Sequence, residues 1–84
     1  MEQGQEKRRT SVTIYGQQYT VVGSENPDHI KKVAALVDRK MREIKGNNPY
    51  LDAGKLAVLT AVNITNEFLT LEEKVNKEQK DGDS

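Results

Sequence analysis

The sequence predicts an α+β fold: an N-terminal β-hairpin packs on a short helix, and a long C-terminal helix dimerises as a coiled coil. Apolar residues alternate with a period of two over residues 11–22, which is typical of strands. They recur with helical spacing over residues 27–45. Over residues 51–80 they are alternately three and four apart, the spacing of a coiled-coil seam.

The hairpin is predicted from two short alternating runs on either side of a glycine. Val12 and Ile14 alternate with polar residues in the first run, and Tyr19 and Val21 do so in the second. Gly16 at the first central position fits a two-residue type II′ turn. That turn would pair Ile14 with Tyr19 and Val12 with Val21, which places all four apolar side chains on one face. Because an isolated hairpin is barely stable in water, this face needs a helix to cover it.

The first helix is predicted from its end signals and one apolar stripe. Asn26 can cap its N-terminus, Pro27 suits the first helical position, and Asp28 complements the helix dipole. Gly46 is the expected C′ residue. The residues of the stripe follow one helical face: Ile30, Val33, Ala34, Val37, Met41 and Ile44.

Basic side chains cover much of the rest of this helix and are the candidate partner-binding residues. Residues 25–50 carry a net charge of +2, whereas residues 51–84 carry −3. Such a face can dock on an acidic protein surface, or it can simply keep the helix soluble. Asp38 and Glu43 among these cations are explained by i,i+4 pairing. The six candidates, here called the basic face, are Lys31, Lys32, Arg39, Lys40, Arg42 and Lys45.

The long helix is predicted to begin after Asp52, which can cap it, and to dimerise. Thirty residues of helix would span roughly 45 Å, more than a chain of this size can cover alone. Part of the helix must therefore contact a second copy or another protein. The residues of this seam, the candidate dimer interface, are Ala57, Ala61, Ile64, Phe68, Leu71 and Val75.

These elements divide the chain into a head, a dimerisation helix and two tails. Residues 1–9 are polar and basic and are predicted to be disordered, as are residues 81–84. Residues 10–50 form the predicted head, and residues 51–80 form the long helix. An 84-residue chain with one long helix buries little surface by itself, so oligomerisation is the simplest source of stability.

No pattern in the sequence indicates catalysis, a cofactor or a metal. The chain has no cysteine, and His29 is the single histidine, in the first turn of a helix. No glycine-rich phosphate loop or nucleophile–base arrangement is present. Because no signal peptide or membrane-length apolar run is found, we expect a cytoplasmic protein without a membrane partner. A pI near 6.6 disfavours nucleic-acid binding.

Three segments resemble the ZapA family of bacterial cell-division proteins. They are the hairpin runs Val12-Thr13-Ile14-Tyr15-Gly16 and Tyr19-Thr20-Val21, and the helix run from Leu59 to Leu69. The resemblance extends from about Ser11 to Leu71. Its most specific part is the helix run, Leu-x-Ala-x-Asn-Ile-x-x-Glu-x-Leu.

The resemblance implies a non-enzymatic adaptor that binds FtsZ, the acidic tubulin-like GTPase, and bundles its protofilaments at the mid-cell division ring. The seam would carry association, and the hairpin with the basic helix would contact FtsZ. Longer family members form antiparallel dimers of dimers, whereas this chain ends soon after Val75, so we expect a homodimer, with a dimer of dimers as the alternative. Some relatives also have a basic residue in the hairpin turn where this chain has Gln17.

Two other functions are compatible with the residues. The first is a small dimeric nucleic-acid-binding protein that uses the first helix and the basic triplet Lys7-Arg8-Arg9. Its binding would fall steeply with salt, and the neutral net charge counts against it. The second is a structural dimer whose charged face contacts no partner.

Overall fold

The computed structural model describes residues 7–83 and shows a β-hairpin followed by two helices. The elements are β1 (Arg8–Ile14), β2 (Gln17–Gly23), α1 (Pro27–Asn47) and α2 (Ala53–Asp83). The two strands form one antiparallel sheet. The hairpin packs on α1 through β1, and α1 packs in turn on α2. This arrangement confirms the predicted α+β fold.

The predicted tails differ from the observed ends of the elements. Residues 1–6 and residue 84 lie outside the described part of the chain. The sequence predicts Arg8 and Arg9 in the N-terminal tail, but they belong to β1, where they pair with β2. At the other end, α2 continues to Asp83.

The hairpin turn is one residue earlier than the sequence predicts. The strands are closed by the pair Ile14 and Gln17, so Tyr15 and Gly16 are the central residues of the turn. Both have positive φ, 51° and 79° respectively, which is the signature of a type I′ turn. The predicted type II′ turn was therefore wrong. The type I′ turn matches the right-handed twist of the strands, although it requires left-handed backbone at a tyrosine.

The strand register changes with the turn, but the faces of the sheet do not. Val12 lies opposite Tyr19, and Thr10 lies opposite Val21. The predicted pairs are thus displaced by two residues along the partner strand. Because side chains alternate with a period of two, this displacement leaves the predicted apolar residues on one face. It also brings Thr10 into the buried part of that face.

Of the two predicted end signals of α1, the N-terminal cap is confirmed and the C-terminal glycine is not. The Asn26 side chain caps the N-terminus by accepting a hydrogen bond from the Asp28 amide at 2.8 Å. Gly46 is not the C′ residue, because α1 continues through Asn47. The Asn48 amide then donates to the Ile44 carbonyl at 3.0 Å, which satisfies a terminal acceptor without a left-handed residue.

The junction between the helices is held by a cap and a lysine. Asp52 caps α2 as predicted, since its carboxylate accepts a hydrogen bond from the Lys55 amide at 2.8 Å. The Lys45 ammonium at the end of α1 donates to the Leu51 carbonyl at 2.6 Å. These contacts define where α2 departs from the head.

The apolar core of the single chain is small. The buried apolar residues are Val12 on β1, Ala34 on α1 and Leu56 on α2, and Leu56 is the most buried at 1% exposure. The radius of gyration is 16.7 Å. A compact domain of this length would have a radius of about 12 Å. The chain therefore leaves much of α2 uncovered by its own head.

Candidate partner-binding and dimerisation surfaces

The basic face divides into cations that hold the fold together and cations that face solvent. Lys40 belongs to the first group. Its ammonium lies 2.5 Å from a Glu67 carboxylate oxygen on α2 and 4.0 Å from Glu43 on its own helix. With its side chain only 17% exposed, Lys40 joins α1 to α2. Lys45, which binds the Leu51 carbonyl, has a similar internal role.

Arg42 also makes contacts within the chain, at the hairpin turn. Its guanidinium Nε donates to Asp38 at 2.9 Å, and its charged carbon lies 5.4 Å from the centre of the Tyr15 ring. The other Asp38 carboxylate oxygen accepts the Tyr15 amide at 2.6 Å. We call these three residues the turn cluster. Its hydrogen bond and cation–π contact compensate the left-handed backbone at Tyr15.

The turn cluster shifts the ionisation of both charged members. The hydrogen bond from Arg42, followed by that from the Tyr15 amide, holds the pKa of Asp38 below its usual value. The hydrogen bond to Asp38 in turn raises the pKa of Arg42. Both groups are therefore charged at neutral pH. The Asp38 carboxylate on α1 is bound to the hairpin turn through the Tyr15 amide.

We expect the contribution of Asp38 to stability to disappear in acid. Because its pKa is depressed in the folded chain, the contribution is complete above the unfolded pKa of about 3.9 and is lost as the pH falls through the folded pKa. Asp38→Asn should therefore be less stable than the unaltered protein at pH 7. The difference should shrink below about pH 4, as measured by urea unfolding across that range.

Glu43→Gln is the matched control, because the Glu43 carboxylate contacts Lys40 only at 4.0 Å. Its effect at pH 7 should be small, as is usual for an exposed ion pair. An Asp38→Asn deficit of the same size at pH 7 and pH 3 would contradict the role assigned to the Asp38 charge.

Three members of the basic face form an exposed basic set: Lys31, Lys32 and Arg39. None of them belongs to an ion pair found among residues 7–78. Lys31 lies beside β1, where it lines a groove together with Ser11 and Thr13. The structure therefore leaves half of the predicted partner-binding residues available to a partner.

The seam on α2 is largely solvent-exposed in the single chain. Phe68 and Leu71 are 58% and 60% exposed, and Val75 is also exposed. Ile64 is half-buried and lies one helical turn beyond Thr60. Leu56 and Thr60 are the α2 residues buried against the rest of the chain. The seam therefore lies beside the line of α2 residues that packs inside the subunit and meets it at Ile64.

A second apolar stripe runs along α2 and was not singled out by the sequence analysis. Its members are Val58, Val62 and Leu69, all exposed. An open depression of about 400 Å³ lies along it, lined by Ala61, Val62, Thr65, Asn66 and Leu69. The spacing of its members, four and then seven residues, indicates one helical face. The sequence from Leu56 to Ile64 is apolar on nearly all sides, however, so this face cannot be distinguished there by periodicity. The helix thus has apolar surface on two sides that its own head does not cover.

Among the side chains of residues 7–78, no group of three or more histidine, aspartate or glutamate residues could hold a metal ion. Within residues 7–83, no helix has an apolar stretch long enough to cross a bilayer.

Comparison with known proteins identifies the family. The family model for "Cell division protein ZapA" matches residues 10–83. Cell division protein ZapA of Geobacillus kaustophilus is 57% identical over 86 residues, covering 95% of this chain and 94% of the relative. The Bacillus subtilis protein of the same name is 55% identical over 71 residues, covering 84% of each chain.

A solved structure agrees with this result. It is described as a ZapA mutant dimer from Geobacillus stearothermophilus, is 49% identical, and superposes with a TM-score of 0.77. The match covers 100% of this chain and 98% of the other. Fold, family model and sequence identity thus agree over nearly the whole length. The chain belongs to the ZapA family of cell division proteins.

Proposed function

We propose that this protein is a non-enzymatic adaptor that binds FtsZ and cross-links its protofilaments in the cytoplasm at the mid-cell division ring. The observation that carries the proposal is the seam on α2, whose members Phe68, Leu71 and Val75 are exposed in the single chain. Residues 10–50 act as the head and residues 51–80 as the dimerisation helix. A dimer carries two heads and can contact two filament subunits at once.

Dimerisation through the seam would also allow a weak contact between each head and FtsZ to give stable binding to a filament. Two heads on one dimer make the second contact intramolecular, so the combined affinity exceeds that of one head by orders of magnitude. FtsZ offers the same surface at every subunit of a filament. The relative described as a dimer supports a two-headed assembly, because it shares this fold.

The second stripe supports a higher assembly as well. Val58, Val62 and Leu69 remain exposed on a side of α2 distinct from Phe68 and Leu71. Two dimers that meet through these stripes would form a dimer of dimers and carry four heads. Such a particle would cross-link filaments rather than merely coat them.

The exposed basic set is the proposed contact with acidic FtsZ. Lys32 and Arg39 are its best test, because neither residue forms an ion pair with the described part of the chain. Arg42 is a poor test, since its replacement would also disrupt the turn cluster. The alternative of nucleic-acid binding gains no support from the relatives named above.

We expect Lys32→Glu/Arg39→Glu to bind FtsZ polymers at least about tenfold more weakly than the unaltered protein, because two heads each lose an attraction and gain a repulsion. Sedimentation of FtsZ polymers with increasing adaptor measures this. Lys74→Glu/Lys77→Glu, on the distal part of α2, changes the net charge equally and should leave pelleting unchanged. Equal pelleting by both double variants would remove the basic set from the contact.

A further inference from the structure

The outer edge of β1 carries backbone groups available to another strand. In a two-residue hairpin the closing residues, here Ile14 and Gln17, exchange hydrogen bonds, and bonded and non-bonded pairs then alternate. The backbone groups of Arg9, Ser11 and Thr13 therefore point away from β2. Over residues 7–83 the sheet has only two strands, so no third strand pairs with this edge.

A groove runs between this edge and α1. Its volume is about 260 Å³, and its lining residues are Ser11, Val12, Thr13, Lys31, Ala34 and Ala35. The two alanines have small side chains, which leaves room beside the strand. The groove therefore combines an open strand edge with a helix wall, the two parts needed to seat an extended peptide.

The charges around the groove favour an acidic occupant. Lys31 lies in its wall, Arg9 lies along the edge, and Arg42 lies at the turn end. Asp38 is the acid at that end, and both its oxygens are engaged by the Tyr15 amide and Arg42. Asp38 is an example of an acidic side chain that binds a backbone amide here, because its carboxylate accepts a hydrogen bond from the Tyr15 amide, directly after β1, at 2.6 Å.

We propose that the β1–α1 groove binds an extended acidic segment of a partner protein, which adds to the sheet as a third strand beside β1. Main-chain hydrogen bonds to Ser11 and Thr13 would supply affinity, and Lys31 would select for acidic side chains. This site shares Lys31 with the exposed basic set but is separate from Lys32 and Arg39. It does not depend on FtsZ being the partner, so either proposal can fail without the other.

The probe is the synthetic peptide acetyl-Glu-Val-Asp-Val-Glu-Val-Asp-amide, titrated into the full ¹⁵N-labelled chain. We expect amide shifts at Ser11, Thr13 and Lys31, with slower hydrogen exchange at the two strand amides. The same peptide with alternate backbone nitrogens methylated keeps its charge but cannot form the ladder. It should bind at least tenfold more weakly, and equal binding would overturn the added strand.

Two matched pairs of variants test the site on the protein side. Ser11 and Thr20 lie opposite each other, and each amide points away from the partner strand. Proline at either position therefore spares the hairpin ladder but blocks one edge. Ser11→Pro should weaken peptide binding at least tenfold, whereas Thr20→Pro should change it less than twofold. Likewise Lys31→Glu should weaken binding severalfold more than Lys32→Glu.

Several outcomes would contradict the proposal. Shifts that map to β2 or α2 would place the peptide elsewhere, and equal losses in Ser11→Pro and Thr20→Pro would show general damage to the hairpin. If Ser11→Pro alone reduced self-association, the edge would belong to a contact between copies. Should both proline variants fail to fold, the methylated peptide and the Lys31→Glu and Lys32→Glu pair still decide the matter on folded protein.

Discussion

Phe68→Ala should convert the dimer into largely dissociated chains at micromolar concentration. Phe68 lies at the middle of the seam and is 58% exposed in the single subunit, and in the proposed dimer the partner's helix would cover it. Truncating a buried phenylalanine costs about 3–5 kcal/mol. That loss corresponds to a rise of at least about a hundredfold in the dissociation constant. Sedimentation equilibrium at several concentrations measures the change.

Tyr50→Ala is the aromatic control for Phe68. Tyr50 lies in the loop between the helices and is 95% exposed, so its truncation removes a comparable ring from outside the seam. The dissociation constant should stay within a fewfold of that of the unaltered protein. A Phe68→Ala protein that remained dimeric and equally stable would refute the assignment of the seam.

Leu56→Ala should destabilise the subunit itself. Leu56 is 1% exposed and lies with Thr60 on the side of α2 buried within the chain. Deleting a leucine side chain from a core costs about 2–5 kcal/mol. The total stability of an 84-residue domain is only about 4–13 kcal/mol. Urea unfolding should therefore show a large fall in the midpoint, present even where the unaltered protein is fully dimeric.

Val58→Ala, two residues along the same helix, is the comparison for Leu56→Ala. Val58 is 63% exposed in the single chain, so its truncation removes much less buried surface inside the subunit than that of Leu56. If the two substitutions lowered the free energy of unfolding equally at every protein concentration, the core assigned to Leu56 would be wrong.

The fold could be predicted from periodicity, whereas the strand register could not. The alternation of Val12 and Ile14 with polar residues determines which face is apolar. A displacement of the strands by two residues leaves that face unchanged. The turn type depends on Tyr15 adopting positive φ, which local preference disfavours. Its support comes from Asp38 and Arg42, more than twenty residues away. Such a long-range contact leaves no trace in a local pattern.

The basic face shows the same limit of local reasoning. A helical wheel of α1 identifies which cations lie together. The i,i+4 pairing predicted for Asp38 and Glu43 is confirmed for Asp38, which pairs with Arg42, whereas Glu43 contacts Lys40 at the i,i+3 spacing. The wheel cannot show that Lys40 reaches Glu67 or that Lys45 reaches the Leu51 carbonyl. Glu67 lies in α2 and Leu51 lies in the loop before it, so both contacts depend on how the two helices pack against each other.

The central claim is that this chain functions only as a joined assembly, and its mass in solution tests that claim most directly. Multi-angle light scattering at several concentrations down to the micromolar range should give at least twice the 9.5 kDa mass of one chain. A helical, cooperatively unfolding species of 9.5 kDa at micromolar concentration would contradict the account, because a single folded subunit has no second head with which to bridge filaments.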